Sequence, residues 1–278
     1  MKPLVFDGAI RIESWPADAR TIAYGDGLFE TMRAHRGTLP WWSRHWQRLA
    51  DGARRLHMPL PEAASVRAAA ATLFDDGGDG VLKLLVGRGA SGRGYAPALD
   101  AAPLWMLSRH PVPQAHPAAG LHVRWCDTRL ALQPALARIK HCNRLEQVLA
   151  SAECRDAGVD EGLMCDGEGT VVGATTGNLF LFDGGRWVTP LVDRCGVAGI
   201  CRAHLVALLD ATEQRLSVAQ VEQAEALLVC NAVRGILPVA RLGDQTWPVH
   251  PAIAAARQLL AGAHPGFAID PGQQTEHP

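Results

Sequence analysis

Leu136-Ala137-Arg138-Ile139-Lys140-His141-Cys142-Asn143-Arg144-Leu145 sets a lysine between an apolar isoleucine and the entry to an amphipathic helix. That helix is expected from about Asn143 to Ala157, because Leu145, Val148, Leu149 and Ala152 recur at helical spacing. A lysine in this place is ordinarily a solvated charge. In a partly buried pocket the same amine loses its proton readily and becomes a nucleophile for an aldehyde, as in a Schiff base. From these residues alone both readings stay open.

Downstream of this stretch, Gly162 to Cys165, Val171-Val172 and Leu179 to Phe182 read as strands, with a turn at Asp166-Gly167. A second helix is expected from about Val197 to Leu209. It opens on Gly196-Val197-Ala198-Gly199-Ile200-Cys201, where small residues let the backbone approach either an anion or a packed neighbour. Upstream, Leu121 to Cys126 reads as a strand. Before it, His110 to Gly120 carries three prolines and no core pattern, and reads as a connection.

The N-terminal part alternates strand-like and helical runs, which predicts an α/β unit. Strands are expected over Leu4 to Ile12, over Gly27 to Ala34, in the segment before Pro40, over Gly80 to Gly87 and over Leu104 to Arg109. A turn at Arg36-Gly37 separates the second from the third. A helix is expected from Arg44 to Leu56 with Trp46, Leu49 and Ala53 on one face. The domains are thus expected at residues 1–112 and 121–269, joined by 113–120, with 270–278 a disordered tail.

Composition is that of an ordinary globular chain, 48% hydrophobic and 20% charged over 278 residues. A net charge of −1 gives no reason to expect nucleic acid as a partner. No apolar run reaches the ~20 residues of a membrane span, and Asp7 and Arg11 interrupt the place of a signal peptide, so a cytoplasmic protein is expected. The seven cysteines form no CxxC pair and read as reduced thiols, and no metal is expected. Gly87-Arg88-Gly89-Ala90-Ser91-Gly92 satisfies GxGxxG but continues as a loop through Arg93-Gly94-Tyr95, so a dinucleotide site is rejected.

Four segments together resemble the fold-type-IV pyridoxal-phosphate enzymes, the family of branched-chain and D-amino-acid aminotransferases and of the aminodeoxychorismate lyases. They are Tyr24-Gly25-Asp26-Gly27-Leu28-Phe29-Glu30-Thr31, Arg88 to Tyr95, Lys140 to Leu145, and Asn178-Leu179-Phe180. The second and third look specifically like the lyases. The resemblance implies a mixed α/β fold, with a smaller N-terminal domain, a larger C-terminal domain and pyridoxal 5'-phosphate between them, in a homodimer. It implies that Lys140 forms the Schiff base with the cofactor and later moves the substrate proton. Arg48 and the turn around Gly199, Ile200 and Cys201 would take the cofactor phosphate, with Asn231 and Ala232 beside it. Tyr24, Arg88, Arg93 and Arg144 would face a small anionic substrate with two carboxylates.

One position departs from the family. Relatives carry a glutamate five residues before the Asn of Asn-Leu-Phe, where it meets the cofactor's pyridine nitrogen. Here Gly173 stands there. Losing that partner weakens the electron sink. An elimination that ends in an aromatic ring needs the sink less than transamination does. The resemblance therefore implies a lyase that converts 4-amino-4-deoxychorismate to 4-aminobenzoate and pyruvate. The alternative is a D- or branched-chain aminotransferase, and a third reading is a cofactor-binding protein without catalysis. Asp166, Glu168 or a water are the expected substitutes for the lost contact.

Overall fold

The computed structural model describes residues 2–89, 94–98, 101–114 and 119–268. The chain divides into two compact units, Met1–Pro113 with Arg138–Arg144, and Gln114–Ala137 with Leu145–Pro278. Residues 138–144, expected in the second domain, thus pack with the first unit. The expected connection lies partly, and the expected tail wholly, outside the described residues.

The first unit is an antiparallel sheet with three helices. Its elements are β1 (Leu4–Asp7), β2 (Ile10–Ile12), α1 (Arg20–Tyr24), β3 (Gly27–Ala34), α2 (Trp42–Arg55), α3 (Ala63–Thr72), β4 (Gly80–Arg88) and β5 (Pro103–His110). The strand order is β2-β1-β5-β4-β3. The strand expected over Leu4 to Ile12 is a hairpin instead, turned at Gly8, whose φ of 57° glycine adopts without strain. The strand expected before Pro40 reduces to a single bridge between His35 and Thr38.

Alternation along β3 sorts its side chains. Leu28, Glu30, Met32 and Ala34 are buried, while Phe29, Thr31 and Arg33 are half-buried on the opposite face. Leu82, Leu84 and Val86 of β4 extend the buried face. Helix α2 packs there, its Gly52 close enough to Leu28 that a Cβ would stand 3.0 Å from it.

The second unit is a nine-stranded mixed sheet. It comprises β6 (Leu121–Trp125), α4 (Leu145–Ala157), β7 (Glu161–Cys165), β8 (Val171–Ala174), β9 (Asn178–Asp183), β10 (Arg186–Pro190), α5 (Ile200–Leu208), β11 (Thr212–Gln214), α6 (Val218–Glu222), β12 (Ala226–Asn231), β13 (Gly235–Leu242), β14 (Gln245–Thr246) and α7 (Pro251–Ala263). The order is β11-β10-β9-β12-β13-β6-β7-β8, with β14 on β13. Val171 of β8 bridges to Leu216, just beyond β11, so the sheet curls until its two ends meet. Leu163, Val171, Leu179, Leu216, Leu227 and Val229 fill the core inside it.

Two expectations about helices are corrected here. Helix α4 buries Ala150 and Cys154, whereas Leu145, Val148 and Leu149 lie 75%, 60% and 60% exposed. Its apolar stripe therefore faces away from its own unit. Helix α5 begins at Ile200 rather than Val197, because Gly199 is still extended and serves as the N-cap.

Candidate active site

Residues 138–144 reach the first unit as an added edge strand on β3. Lys140 O accepts from Phe29 N at 3.0 Å, Cys142 N donates to Gly27 O at 2.9 Å, and Leu28 bridges to His141. Arg138 enters at a φ of 73°, a conformation that costs energy outside glycine and turns the chain into this register. Ile139 is buried and anchors the segment. Lys140 is thereby fixed beside Phe29, its Nζ 4.3 Å from the ring centroid. Burial, then the charges of Arg48, Arg144 and Lys83 against that of Glu30, lower the Lys140 amine to about 8.

Beneath it lies a buried charge cluster. Glu30, on the covered face of β3, accepts from His45 Nδ1 at 2.6 Å and from Arg48 Nε and Nη2 at 2.8 and 2.5 Å. Burial alone would raise this carboxyl. Arg48 and His45 overcome it and hold Glu30 at about 2. Burial likewise lowers His45 below the ordinary imidazole range. The neutral ring with its proton on Nδ1 satisfies the contact to Glu30. Arg48, assigned by resemblance to a phosphate, stands beside Lys140 and braces Glu30 with its fork. Sequence reasoning did not single out Glu30 or His45. The usable signal was a lone carboxylate on the apolar face of β3, with His45 and Arg48 three residues apart on one helix face.

The arginines around the Arg88-to-Tyr95 loop share a second hub. Asp26 Oδ2 accepts from Arg20 Nε at 2.8 Å and from Arg88 Nε at 3.0 Å. Arg20 also donates to Gly94 O and Tyr95 O, both at 2.8 Å. Arg88 donates to His57 O and Leu56 O, at 2.7 and 2.8 Å, and is 2% exposed. Each of its three nitrogens is engaged inside the unit. Its expected role on a substrate carboxylate is therefore corrected to a structural one, tying β4 to the end of α2.

Arg93 lies outside the described residues. Tyr24 is partly exposed, its ring 5.4 Å from that of Tyr95 and 4.9 Å from the Arg20 guanidinium. Arg144 holds its own loop, donating to His141 O at 2.8 Å.

In the second unit, the residues expected on the phosphate side gather at one end of the sheet. Asn178 of β9 pairs in register with Cys230 of β12, next to Asn231, and its Nδ2 donates to Val197 O at 2.9 Å ahead of α5. A side chain at Gly199 would strike Asn178 Oδ1. No side chain caps the first turn of α5, so its amide groups are the donors at this helix start. Cys201 contacts Cys230, and burial raises its thiol well above the ordinary range. Asn231 Oδ1 accepts from Val233 N and Arg234 N at 3.0 and 2.8 Å, so its side chain builds the turn that contains Ala232. A helix start of nine residues with glycine at its cap and uncapped amides fits a phosphate.

Gly173 is buried in β8, and a Cβ there would stand 3.2 Å from Gly177 O. Neither expected substitute carboxylate is poised for a ligand. Asp166 accepts from the amides of Glu168 and Thr170 in its own turn, and Glu168 pairs with Arg194. Glu161 is the other buried carboxylate of this unit among the described residues, and it accepts from the hydroxyls of Thr175 and Thr176.

Comparison with known proteins bears on both units. An aminodeoxychorismate lyase of Vibrio harveyi is 33% identical over 236 residues, spanning 81% of this chain and 86% of that protein. The crystal structure of a 4-amino-4-deoxychorismate lyase from Pseudomonas aeruginosa is 40% identical, with a TM-score of 0.86 over 93% of this chain and 98% of that one. The branched-chain amino acid aminotransferase of Escherichia coli, at 20% identity and a TM-score of 0.83, shares the fold over 96% of each chain. The sequence profile of amino-transferase class IV matches residues 27–242, from the first glycine of β3 to the end of β13. The chain belongs to the amino-transferase class IV family.

Proposed function

We propose that this protein is a pyridoxal-phosphate-dependent lyase that converts 4-amino-4-deoxychorismate to 4-aminobenzoate and pyruvate, a step toward folate. The observation that carries the reading is Lys140, an amine lowered to about 8 and fixed by the backbone of β3. The likeness to two lyases at 33% and 40% identity supports the choice of reaction. Pyridoxal phosphate, when bound, supplies an aldehyde for an amine and a ring that draws electrons from the neighbouring carbon.

Each unit has its own task. In the second, the amides at the start of α5 and the turn at Asn231 and Ala232 suit the phosphate. In the first, Lys140 is the residue that would hold the cofactor aldehyde and would yield that place to the substrate amine. Its freed amine then takes the proton from the ring carbon that bears the substrate nitrogen. The bond from ring carbon to enolpyruvyl oxygen breaks, the electrons of the lost C–H bond complete the aromatic ring, and the released enolpyruvate takes up a proton to give pyruvate. Arg48 and Arg144 keep positive charge beside Lys140, which favours its neutral form as base. Tyr24 lies on the same unit at an exposed edge, suited to the substrate's rim.

Gly173 favours this reading over transamination, since aromatisation supplies driving force that a weakened electron sink does not. A homodimer is part of the proposal. Leu145, Val148 and Leu149 present an apolar helix face of the kind buried between copies. Seven free cysteines suit the reducing cytoplasm. The reading is tested by incubating the holoenzyme with aminodeoxychorismate and quantifying both products. Equal amounts of 4-aminobenzoate and pyruvate are expected. Conversion of the cofactor to its amine form by D-alanine, with no 4-aminobenzoate released, would replace the lyase with an aminotransferase.

A further inference from the structure

Strands β9 and β10 are joined by the two-residue turn Gly184-Gly185, with φ of 55° and 77°. Positive φ at both positions suits a tight hairpin, and glycine adopts it without strain. The turn sets Asp183 directly opposite Arg186 in the register. It is held in place by Gly184 N, which donates to Glu225 Oε1 at 3.0 Å. Opposite charges placed across a hairpin ordinarily attract each other into a pair. Here, among the described residues, neither side chain makes an ion pair or a hydrogen bond.

The face that carries these two charges continues into a groove of about 320 Å³, at the small end of the range for small-molecule sites. Alternation brings Leu181 and Val188 onto that face, and Leu216 joins them from beyond β11. The three form an apolar floor, with Leu181 and Leu216 buried. Beside it stand the carboxamides of Gln214 and Gln223, which make no side-chain hydrogen bond among the described residues. Gln214 is half-buried, and a half-buried amide gains by taking a partner. The groove belongs wholly to the second unit. Asp183 and Asn178 stand at opposite ends of β9, roughly 17 Å apart along an extended strand, so the groove is separate from the start of α5.

An unpaired anion and cation side by side match a ligand that carries both charges on one carbon. We infer that this groove binds a free α-amino acid with a carboxamide side chain. The Arg186 fork takes its α-carboxylate, and Asp183 takes its α-ammonium. Its methylenes lie along Leu181, Val188 and Leu216. Its carboxamide exchanges hydrogen bonds with Gln214 and Gln223, each of which both donates and accepts. A carboxylate or an ammonium in that place would serve only one sense. The site asks nothing of Lys140 and stands whichever reaction that residue serves.

The test is calorimetric titration of L-glutamine into holoenzyme reduced beforehand with borohydride, which stops amine exchange at the cofactor. Binding with a Kd of about 1 mM or below is expected. Asp183→Asn and Arg186→Gln change exposed hairpin residues that the core does not need, and each should weaken binding about tenfold or more. Glutaramate lacks the ammonium and L-norvaline lacks the carboxamide. Each should bind wild type about tenfold more weakly than L-glutamine. No binding of L-glutamine to wild type at millimolar concentration overturns the assignment. So does equal affinity of wild type and both variants, or equal affinity of wild type for L-glutamine and either analogue.

Discussion

At the scale of single residues, the site is an exercise in placing charge where water is scarce. Glu30 lies among apolar neighbours and stays ionised only because Arg48 and His45 surround it. Its folded value of about 2 lies below the ordinary 4.5, so it stabilises the fold above pH 4.5, and that contribution is lost as pH falls toward 2. Glu30→Gln is expected to cost about 3–5 kcal/mol at neutral pH by leaving Arg48 unbalanced. The difference from wild type should shrink on acidification through that window, as read by chemical denaturation. A difference independent of pH would show that Glu30 is not the buried anion described.

Gly173 supports a second expectation at this scale. Gly173→Glu restores the carboxylate of the relatives at the cost of a small shift near Gly177 O. Transamination of D-alanine should rise by about tenfold, equivalent to about 1.4 kcal/mol. An unchanged rate would remove Gly173 from the argument about reaction type.

At the scale of elements, the sequence made some features plain and hid others, for physical reasons. Strands β3, β4 and β5 were legible because apolar runs are bounded by glycine or proline. Lys140 was legible only in company with three other motifs, since nothing local separates it from a surface lysine. Helix α4 was found, but its buried face was not. The helical spacing of Leu145, Val148 and Leu149 is the same whether the stripe meets its own unit or another surface. Arg88 was misjudged because a loop arginine looks the same whether its fork meets a substrate or the backbone at the end of α2.

The start of α5 carries its own prediction. Gly199→Ala pushes a methyl group toward Asn178 Oδ1 at the helix cap. The variant should fold yet bind pyridoxal phosphate about tenfold more weakly, a loss of about 1.4 kcal/mol, measured by absorbance titration of apoenzyme. Undiminished affinity would separate this helix start from the phosphate.

At the scale of the whole molecule, family membership rests on a profile that spans residues 27–242 and hence elements of both units. In the proposed homodimer, the exposed stripe of α4 is the surface assigned to the interface. Replacing Val148 and Leu149 together with aspartate should shift the protein from dimer to monomer in sedimentation equilibrium, with secondary structure kept. A dimer that survives both charges would place the interface elsewhere.

The most direct test of the central claim is release of 4-aminobenzoate from aminodeoxychorismate by wild type and by Lys140→Ala, each reconstituted with pyridoxal phosphate. Wild type is predicted to release it, and the variant to do so slower by roughly 10²–10⁴-fold or more, without the absorbance of a lysine-bound cofactor. Comparable release by Lys140→Ala, or none from a wild type that carries the cofactor, would contradict the account.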